Sequence, residues 1–357
     1  MRIAIVTESF YPAVDGTTRT VKAVVDRLVD TGHEVLVVAP APGLADYRGC
    51  RVARIRTPEK PGAQVREALA GFGPDLVHVT SPGTVGRKAL KHAGRLGIPS
   101  LVVQQSVVAA MDAERWGRKV AARADRVLVT CHWMAEQLAV LGTDDAEVWL
   151  PGVDHRAFVP QLRDDHLHGR WSRARSKGGP QVVVGYVGSL HKRNGVRRLA
   201  DVARVAGVRL VVVGDGPQRS WLRRHVPTAM LLGPLETGDL TTALASLDVL
   251  VHPGRLETDA HVLREAGASG VPVVASAAGG HLDAVEDGVT GLLADADRPT
   301  ALRRAVAMLA GDPFLRARMG EAARARATRR DWADAVDELV AVHYPATLAA
   351  HGRVFAA

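Results

Sequence analysis

Two glutamates stand eight positions apart in the segment "HPGRLETDAHVLREAGASGVPVVA", residues 252–275, and carboxylates at such a spacing invite a catalytic reading. Glu257 follows a Pro-Gly turn, whereas Glu265 falls in a stretch with helical apolar spacing that stops at Gly270. Helix rise alone would separate them by about 12 Å, at ~1.5 Å per residue. Carboxylate pairs that cleave glycosides lie roughly 5–5.5 Å or about 6.5–9.5 Å apart, so the spacing argues against an acid–base pair.

The same separation suits one extended ligand that is held at both ends. Thr258 or Asp259 is a natural N-cap for a helix over residues 260–269, and the free amides of a helix N-terminus attract phosphates. Carboxylates accept hydrogen bonds from sugar hydroxyls. We therefore expect a nucleotide sugar with its hexose near Glu257 and its ribose near Glu265; two solvated glutamates are the alternative.

Glycines end two of the strands that the sequence predicts in its second half. Gly188 is followed by Lys192 and Arg193 in a loop before a helix, which makes a reasonable phosphate site. Ordinary surface charge is the alternative for these two cations. Gly214 belongs to a Gly-Asp-Gly-Pro turn whose simplest role is to end one strand and begin the next helix.

The first strand-to-helix turn lacks the G-x-G-x-x-G pattern that nicotinamide and flavin proteins place there, because only Gly16 is present. A helix follows this glycine, and its first amides, near Thr17 and Thr18, could face an anion. A plain turn glycine explains the same residues equally well.

Short β-branched runs alternate with helical segments, and this rhythm occurs twice. The first set of predicted strands is Ile3–Val6, Glu34–Val38, Leu76–Val79, Leu101–Val103, Val127–Val129 and Glu147–Trp149. The second set is Val182–Val187, Arg209–Val213, Met230–Leu232, Val249–His252, Val271–Ala275 and Gly291–Leu293. The pattern predicts an α/β fold with two facing Rossmann-like, doubly wound parallel sheets and a deep cleft between their carboxyl edges.

A charged segment closed by Gly-Gly-Pro, residues 161–180, has the composition of an interdomain linker. We expect an N-terminal domain over residues 1–165 and a C-terminal domain over residues 166–340. A tail over residues 341–357 is expected to pack back on the N-terminal domain. A length of 357 residues agrees with two domains, since a single core stops growing at roughly 250–300 residues.

The cysteines and the apolar runs indicate the compartment. Cys50 and Cys131 have neither disulfide-framework nor metal-ligand spacing, which suits a reducing environment. No stretch reaches the roughly 18 consecutive apolar residues of a membrane-spanning helix, and the N-terminal run is too short for a signal peptide. We therefore expect a cytoplasmic protein.

The net charge of +8 is unevenly spread along the chain. Between Arg48 and Arg126 there are 15 Lys and Arg against 6 Asp and Glu, and Arg87, Lys91 and Arg95 form a basic stripe on one predicted helix. A solvated helix face and an anionic membrane surface both explain this stripe. Nucleic acid is not expected as a partner, because aromatic residues are only 4% and no nucleic-acid-reading motif occurs.

These segments together resemble the retaining glycosyltransferases of the GT-B fold, and specifically glycosyltransferase family 4. The E-x7-E motif of that family matches Glu257 and Glu265. Further segments follow the family order from Arg2 to about residue 345: "TESFYPAVDGTTR", "PDLVHVTSP", "ADRVLVT", "PGVDHRAF", "YVGSL", "VVVGDGP", "LGPL", "LDVLVHPG", "EAGASGVPVVASAAGG" and "DGVTGLL". Within the family the sequence looks most like actinobacterial GDP-mannose-dependent α-mannosyltransferases, including those that act on phosphatidylinositol or other glycolipids.

The resemblance implies that a hexose moves with retention from a nucleoside diphosphate sugar to a glycolipid, glycan or small-molecule hydroxyl. GDP-mannose is favoured over a UDP-sugar, and neither a metal nor a protein nucleophile is implied. The N-terminal domain would bind the acceptor and the C-terminal domain the donor. The implied catalytic residues are Glu257, Lys192 and Arg193. The implied donor-binding residues are Gly16, Thr17, Gly188, Ser189, Gly214, Thr258, Asp259, Ala260 and Glu265, and those on the acceptor side are Gln105 and Ser106.

The sequence departs from the family at the positions that usually hold the diphosphate. An Arg and a Lys are common there, whereas this chain has Ser189 and Asn194. Lys192 and Arg193 lie close by in the sequence and are the expected replacements. A family member that has lost transfer and serves as a nucleotide-sugar-binding or scaffold protein is the alternative function.

Two other departures from the family pattern occur, and the first of them supports the same alternative. Asp259 and Ala260 replace the usual Phe-Gly pair, which adds a negative charge beside the expected diphosphate unless Asp259 caps the helix. Gln104–Val107 replaces a segment of the type "YQTD", so an aromatic and an acidic position are lost. Other enzymes with two nucleotide-binding domains, such as sugar-nucleotide epimerases and phosphorylases, remain a third class.

Overall fold

The computed structural model describes residues 1–13, 15–173, 179–298 and 300–355. The chain divides into two compact units. The first unit combines Met1–Gly152 with Trp332–Ala357, and the second unit is Val153–Asp331.

The first unit is built around a sheet of mainly parallel strands. Its elements up to residue 148 are β1 (Arg2–Thr7), α1 (Gly16–Asp30), β2 (Glu34–Pro40), β3 (Asp46–Tyr47), β4 (Cys50–Ile55), α2 (Pro61–Phe72), β5 (Leu76–Thr80), α3 (Thr84–Leu96), β6 (Ser100–Gln104), α4 (Ala113–Lys119), β7 (Arg126–Val129), α5 (His132–Val140) and β8 (Glu147–Val148). The described strands have the order β3-β4-β2-β1-β5-β6-β7-β8, and only β3 runs antiparallel to its neighbour.

Both faces of this sheet are covered, which explains the unbroken apolar sequence of its central strand. Ala4 and Val6 of β1 belong to the hydrophobic cluster on one face. Ile3 and Ile5 belong to the cluster on the other face. Parallel strands buried on both faces are typical of doubly wound α/β sheets.

The second unit repeats the plan with a smaller sheet. Its elements are α6 (Asp165–Ser172), β9 (Val182–Val187), α7 (Leu199–Val202), β10 (Val208–Val213), α8 (Arg219–His225), β11 (Met230–Gly233), α9 (Thr237–Ala245), β12 (Val249–His252), α10 (His261–Ala268), β13 (Val273–Ser276), α11 (His281–Ala284), β14 (Gly291–Ala294), α12 (Ala301–Gly311) and α13 (Pro313–Ala327). The described strands are all parallel and have the order β11-β10-β9-β12-β13-β14.

The chain then returns to the first unit in α14 (Trp332–Glu338) and α15 (Tyr344–Phe355). The indole of Trp149 donates a hydrogen bond to the Ala335 carbonyl at 2.8 Å, inside the protein. The buried Tyr344 hydroxyl lies 3.0 Å from Nδ1 of His78 in β5. These contacts attach the C-terminal helices to the sheet of the first unit.

The sequence placed the domain boundaries after residues 165 and 340, whereas the compact units divide after Gly152 and Asp331. The segment before α6 packs in the second unit, where Ser246 Oγ accepts a hydrogen bond of 3.0 Å from the Asp164 amide. Near the other boundary, Arg27 of α1 pairs with Asp337 at 2.5 Å, so α14 packs in the first unit. Of the predicted linker, residues 174–178 lie outside the described residues, and residues 165–172 form α6.

The α/β fold class with two Rossmann-like parallel-sheet units is confirmed, and each predicted strand corresponds to a strand of the structure. Two strands of the first sheet, β3 and β4, were not predicted. Arg51 and Arg54 interrupt the apolar pattern of β4, which therefore looks like part of the basic segment. The short β3 makes the first sheet mixed rather than wholly parallel.

Candidate functional site

The second unit has its strand-order reversal between β9 and β12, which are neighbours in the middle of the sheet. In doubly wound sheets, ligands bind outside the carboxyl ends of the strands at such a reversal. The segments that leave β9, β10 and β12 at this edge contain Gly188, Gly214 and Glu257 respectively. The fold thus brings three of the predicted donor-binding segments to one edge.

Gly188 and Gly214 allow two of these segments to pack against each other. Both have positive φ angles, +149° and +128°. A β-carbon on Gly214 would lie 2.1 Å from the Gly188 carbonyl oxygen, well inside contact distance. Gly188 also donates its amide hydrogen to the Val213 carbonyl at 3.0 Å. Glycine at position 214 is therefore a requirement of close backbone packing, whereas at position 188 the positive φ is what favours glycine.

The backbone around Glu257 is held by a glycine pair after β13. The Gly280 amide donates to the Glu257 carbonyl at 2.7 Å. A β-carbon on Gly279, which has a φ of +62°, would lie 2.5 Å from that same carbonyl. A β-carbon on Gly280 would lie 2.5 Å from the Thr258 carbonyl. This glycine pair was not among the predicted site residues, because its role depends on a long-range contact.

Helix α10 begins one residue later than predicted, and the prediction that Thr258 or Asp259 caps it was wrong. The residue before the helix is Ala260, in a left-handed conformation with φ of 48°, and no side chain caps the helix. Asp259 is buried instead, with Oδ2 3.5 Å from Nε2 of His261, and its carbonyl accepts a hydrogen bond from Arg264.

The two glutamates of the E-x7-E motif occupy different environments. Glu265 is on α10 and is only 8% exposed. Glu257 precedes the helix, and its side chain is 31% exposed, with Oε2 3.9 Å from Nε2 of His252. Glu257 is therefore the more accessible of the two, and Glu265 keeps only a small exposed area.

The loop after β9 has two free cations and a fixed backbone. Lys192 and Arg193 are exposed in a 3₁₀ turn and form no ion pair with other residues that the structure describes. Asn194 donates from Nδ2 to the Ser189 carbonyl at 2.9 Å, and the Tyr186 hydroxyl donates to the same oxygen at 3.0 Å. Asn194 thus fixes the loop and leaves the two cations to face a ligand.

In the first unit, the predicted residues after β1 lie at the start of α1. Gly16 is the first residue of that helix and is exposed, and Thr17 is half-buried. Asp15 caps the helix by accepting a hydrogen bond from the Thr18 amide at 2.8 Å. An anion would therefore meet the amides ahead of Thr18, beside a carboxylate.

Gln105 and Ser106 lie just beyond β6, at the carboxyl edge of the first sheet. Gln105 is buried, and its backbone amide donates a hydrogen bond to Ser81 Oγ at 3.1 Å. Ser106 is exposed, and its hydroxyl accepts a hydrogen bond of 3.0 Å from the Gln104 side chain. The carboxyl edge of the first sheet thus has the buried side chain of Gln105 and the exposed hydroxyl of Ser106.

Glu8 is a further residue at this edge that the sequence did not single out. Its carboxylate accepts a hydrogen bond from the Gly86 amide at 2.8 Å, at the start of α3. Burial raises the pKa of this carboxyl, although hydrogen bonds from the amides near the start of α3 act to lower it. The signal missed was simply an acidic residue directly after the first strand.

The described part of the chain lacks two further features. Within it, no group of three or more His, Cys, Asp and Glu residues is arranged to hold a metal ion. None of the helices in the same residues is long and apolar enough to cross a bilayer.

Two units with parallel sheets, and loops with Gly188, Gly214 and Glu257 at one carboxyl edge of the second, are features of a GT-B glycosyltransferase. Two family profiles match the chain: "Glycosyltransferase Family 4" over residues 14–157 and "Glycosyl transferases group 1" over residues 170–326. The chain belongs to the family 4 glycosyltransferases, and it is a glycosyltransferase.

Similar proteins support this assignment over nearly the whole length. A GDP-mannose-dependent alpha-mannosyltransferase of Mycolicibacterium smegmatis is 40% identical, with 98% of each chain covered. A protein of the same name from Mycobacterium tuberculosis is 37% identical, with 97% of each chain covered. These relatives do not favour the alternative of a scaffold or binding protein.

Solved structures share the fold. The Anabaena protein HepE in complex with UDP-glucose is similar with a TM-score of 0.81 and 19% identity, covering 97% of this chain and all of its own. Sucrose-phosphate synthase of Thermosynechococcus elongatus gives a TM-score of 0.78 and 20% identity, with 96% and 98% covered.

Proposed function

We propose that this protein is a retaining α-mannosyltransferase that uses GDP-mannose as its donor. The observation that carries the proposal is full-length similarity to proteins named for that activity, at 40% and 37% identity. The carboxyl edge of the second unit supports it, because the strand-order reversal brings the segments of Gly188, Gly214 and Glu257 to the place where doubly wound sheets bind ligands. The acceptor is a glycolipid, glycan or small-molecule hydroxyl.

Each predicted site residue of the second unit has a role in this proposal. Glu265 accepts hydrogen bonds from the ribose hydroxyls and Glu257 from the hexose. The amides of residues 258–260 face the sugar or the phosphate. Lys192 and Arg193 balance the charge of the departing diphosphate. They replace the Arg and Lys that the family commonly has at the positions of Ser189 and Asn194. Gly188 and Gly214 let the backbone approach the donor.

The remaining predicted residues belong to the first unit. Gly16 and Thr17 contact the donor phosphates through the first amides of α1. Gln105 and Ser106 hydrogen-bond the acceptor. In the transfer step the bond between the anomeric carbon and the phosphate oxygen breaks, and the acceptor oxygen bonds to that carbon on the same face. The acceptor proton passes to the departing phosphate oxygen, so no protein nucleophile and no metal enters the step.

A turnover screen tests the proposal. The purified protein is supplied with GDP-mannose, GDP-glucose, UDP-glucose and UDP-N-acetylglucosamine, and nucleotide release is measured with and without phosphatidylinositol or mannoside acceptors. We expect release of GDP from GDP-mannose, and an α-linked product by proton NMR. Glu257→Gln should lower the turnover of GDP-mannose by about tenfold or more, since a charged acceptor is lost.

Glu286→Gln is the matched control for that variant. Glu286 is exposed in the same unit and pairs only with Arg326, at 3.6 Å, among the residues that the structure describes. Its substitution should leave turnover unchanged. Preferred turnover of a UDP-sugar would contradict the donor assignment, and a β-linked product would contradict retention.

We also infer that the protein works at the inner face of the plasma membrane, bound through the basic helix over residues 87–95. Helix α3 leaves Arg95 exposed and Arg87 and Lys91 half-buried. The pKa of Lys119 is lowered by nearby positive charges. Arg115 has the largest effect, and Arg87 of α3 is among the others. Arg87 of α3 and the cations of α4 thus contribute to one positive field, which would attract anionic lipid headgroups.

Liposome flotation tests the membrane proposal. The wild-type protein should float with vesicles that contain phosphatidylserine and remain at the bottom with phosphatidylcholine alone. Replacement of Lys91 and Arg95 by glutamine should reduce flotation. Replacement of Arg303 and Arg304, exposed cations of α12, should not. Equal flotation on neutral vesicles, or equal losses in both variants, would contradict the electrostatic docking.

A further inference from the structure

Two histidine rings and a tyrosine ring lie behind the Glu257 side chain. His252, the last residue of β12, is 3% exposed. Its ring stacks on Tyr186, with centroids 5.7 Å apart and planes at 22°. His281 meets it edge-on, with centroids 4.9 Å apart and planes at 79°. Packing on two sides fixes the orientation of the His252 ring, and with it the positions of its nitrogens.

A backbone carbonyl defines which nitrogen of His281 carries hydrogen, and a carboxylate lies near one nitrogen of His252. Nδ1 of His281 lies 2.9 Å from the Ser276 carbonyl oxygen, which can only accept, so Nδ1 donates. Nε2 of His252 lies 3.9 Å from Oε2 of Glu257, and an ionised carboxylate also only accepts. With its hydrogen on Nε2, His252 would present an N–H dipole to the Glu257 carboxylate across 3.9 Å, a distance longer than a direct hydrogen bond.

Both imidazoles are uncharged at neutral pH. Burial lowers the pKa of His252 to about 4 and that of His281 to about 4. A charged imidazolium would pair with the carboxylate and compete with a sugar hydroxyl for it. A neutral ring instead offers Glu257 a single N–H dipole and leaves its negative charge available to a ligand.

The same stack reaches the loop that has the two free cations. The hydroxyl of Tyr186 donates to the Ser189 carbonyl at 3.0 Å, and burial raises the pKa of this tyrosine, which keeps the hydroxyl protonated. The Asn194 side chain donates to the same carbonyl. His252 therefore lies between Glu257 on one side and the backbone that precedes Lys192 on the other.

We propose that His252 is a positioning residue for glycosyl transfer, which directs the Glu257 carboxylate with Nε2–H and fixes the Ser189 loop through Tyr186. This inference rests on the proposed function, because it assigns Glu257 to the hexose of the donor. It differs from that function in naming a residue outside the E-x7-E motif on which the sugar contact depends.

Two substitutions distinguish the role of the His252 N–H from that of its aromatic ring. His252→Phe keeps an aromatic ring against Tyr186 and removes the N–H, whereas His252→Gln keeps an N–H near the Nε2 position. For the sugar nucleotide that is turned over, His252→Phe should lower kcat/KM by about threefold to tenfold, because the Glu257 carboxylate loses the N–H dipole that orients it. GDP affinity by calorimetry should be unchanged. His252→Gln should restore kcat/KM to near the wild-type value.

A double variant and a matched control test the coupling. Because His252 and Glu257 act together, adding His252→Phe to Glu257→Gln should cause no further loss. His78→Phe replaces an equally buried histidine of the first unit, and should lower the melting temperature without changing kcat/KM. Unchanged kcat/KM in His252→Phe, losses that add in the double variant, or an equal loss of GDP affinity would overturn the inference.

The failure of the proposed function gives a different result. If wild-type protein turns over a UDP-sugar and not GDP-mannose, the donor assignment fails, and the two His252 variants are then compared with that UDP-sugar. If the wild type binds no sugar nucleotide, both proposals fail. Turnover of GDP-mannose with an inert His252→Phe substitution overturns only the role of His252.

Discussion

At the scale of single residues, Asp259 is the position where sequence and structure differ most usefully. The sequence left two roles open, a helix cap or a charge that repels the diphosphate. The structure shows a third arrangement, in which the buried carboxylate lies beside His261 and the left-handed Ala260 separates it from the helix. No propensity of Asp or Thr could reveal this, because Gly rather than Ala is the residue that commonly adopts such a conformation.

Asp259→Asn tests whether this carboxylate opposes donor binding. The amide keeps the shape and removes the charge, so the buried pairing with His261 is weakened. We expect the free energy of unfolding to fall by about 1–3 kcal/mol, with GDP affinity nearly unchanged. Chemical denaturation and calorimetry measure the two quantities. A tenfold gain in GDP affinity at unchanged stability would show that Asp259 repels the phosphate.

At the scale of elements, β-branched runs predicted the strands well because both faces of each sheet are covered. The same rule failed for β4, where Arg51 and Arg54 interrupt the apolar residues, and for the two-residue β3. The predicted segments of Gly188, Gly214 and Glu257 do come to one edge, as parallel strands require. His252 and Gly279 were missed, since their contacts join segments that are remote in sequence.

Gly279→Ala tests the element that supports Glu257. The new β-carbon would lie 2.5 Å from the Glu257 carbonyl, so the backbone of the donor segment must shift. Gly288→Ala is the matched control, because Gly288 also has a positive φ, of +75°, and nothing lies within 4 Å of its β-carbon position. Both changes strain the backbone by about 1–2 kcal/mol.

The clash is specific to position 279. We expect the free energy of unfolding to fall by about 1–3 kcal/mol more in Gly279→Ala than in the control, which is the usual cost of overpacking. Gly279→Ala should also lose most of its turnover. Gly288→Ala should keep its turnover. Melting temperatures and initial rates compare the pair, and equal effects of the two substitutions would count against the support of Glu257 by this loop.

At the scale of the whole molecule, each unit buries histidine in its core. His78 lies in the first unit, and burial lowers its pKa to about 3; His252 and His281 lie in the second, each with a pKa of about 4. The ordinary value is 6.5, so the unfolded chain binds protons first as the pH falls. Stability is therefore fully present above about pH 6.5 and decreases toward pH 4.

Calorimetric unfolding between pH 7.5 and 4.5 checks this dependence. Each buried histidine should contribute a slope of about 1.4 kcal/mol per pH unit below pH 6.5. His78→Phe removes one such group, so its stability should fall less steeply with acid than that of the wild type. The same slope in both proteins would contradict the assignment of His78 as a neutral buried group.

The central claim is that the second unit holds GDP-mannose between Glu265 and Glu257. Titration calorimetry with GDP and UDP, on the wild type and on Glu265→Gln, tests it most directly. We predict that GDP binds more tightly than UDP, and that Glu265→Gln weakens GDP binding by about tenfold, the cost of one hydrogen bond to a charged group. The absence of binding by any nucleotide at millimolar concentration, or GDP binding that Glu265→Gln leaves unchanged, would contradict it.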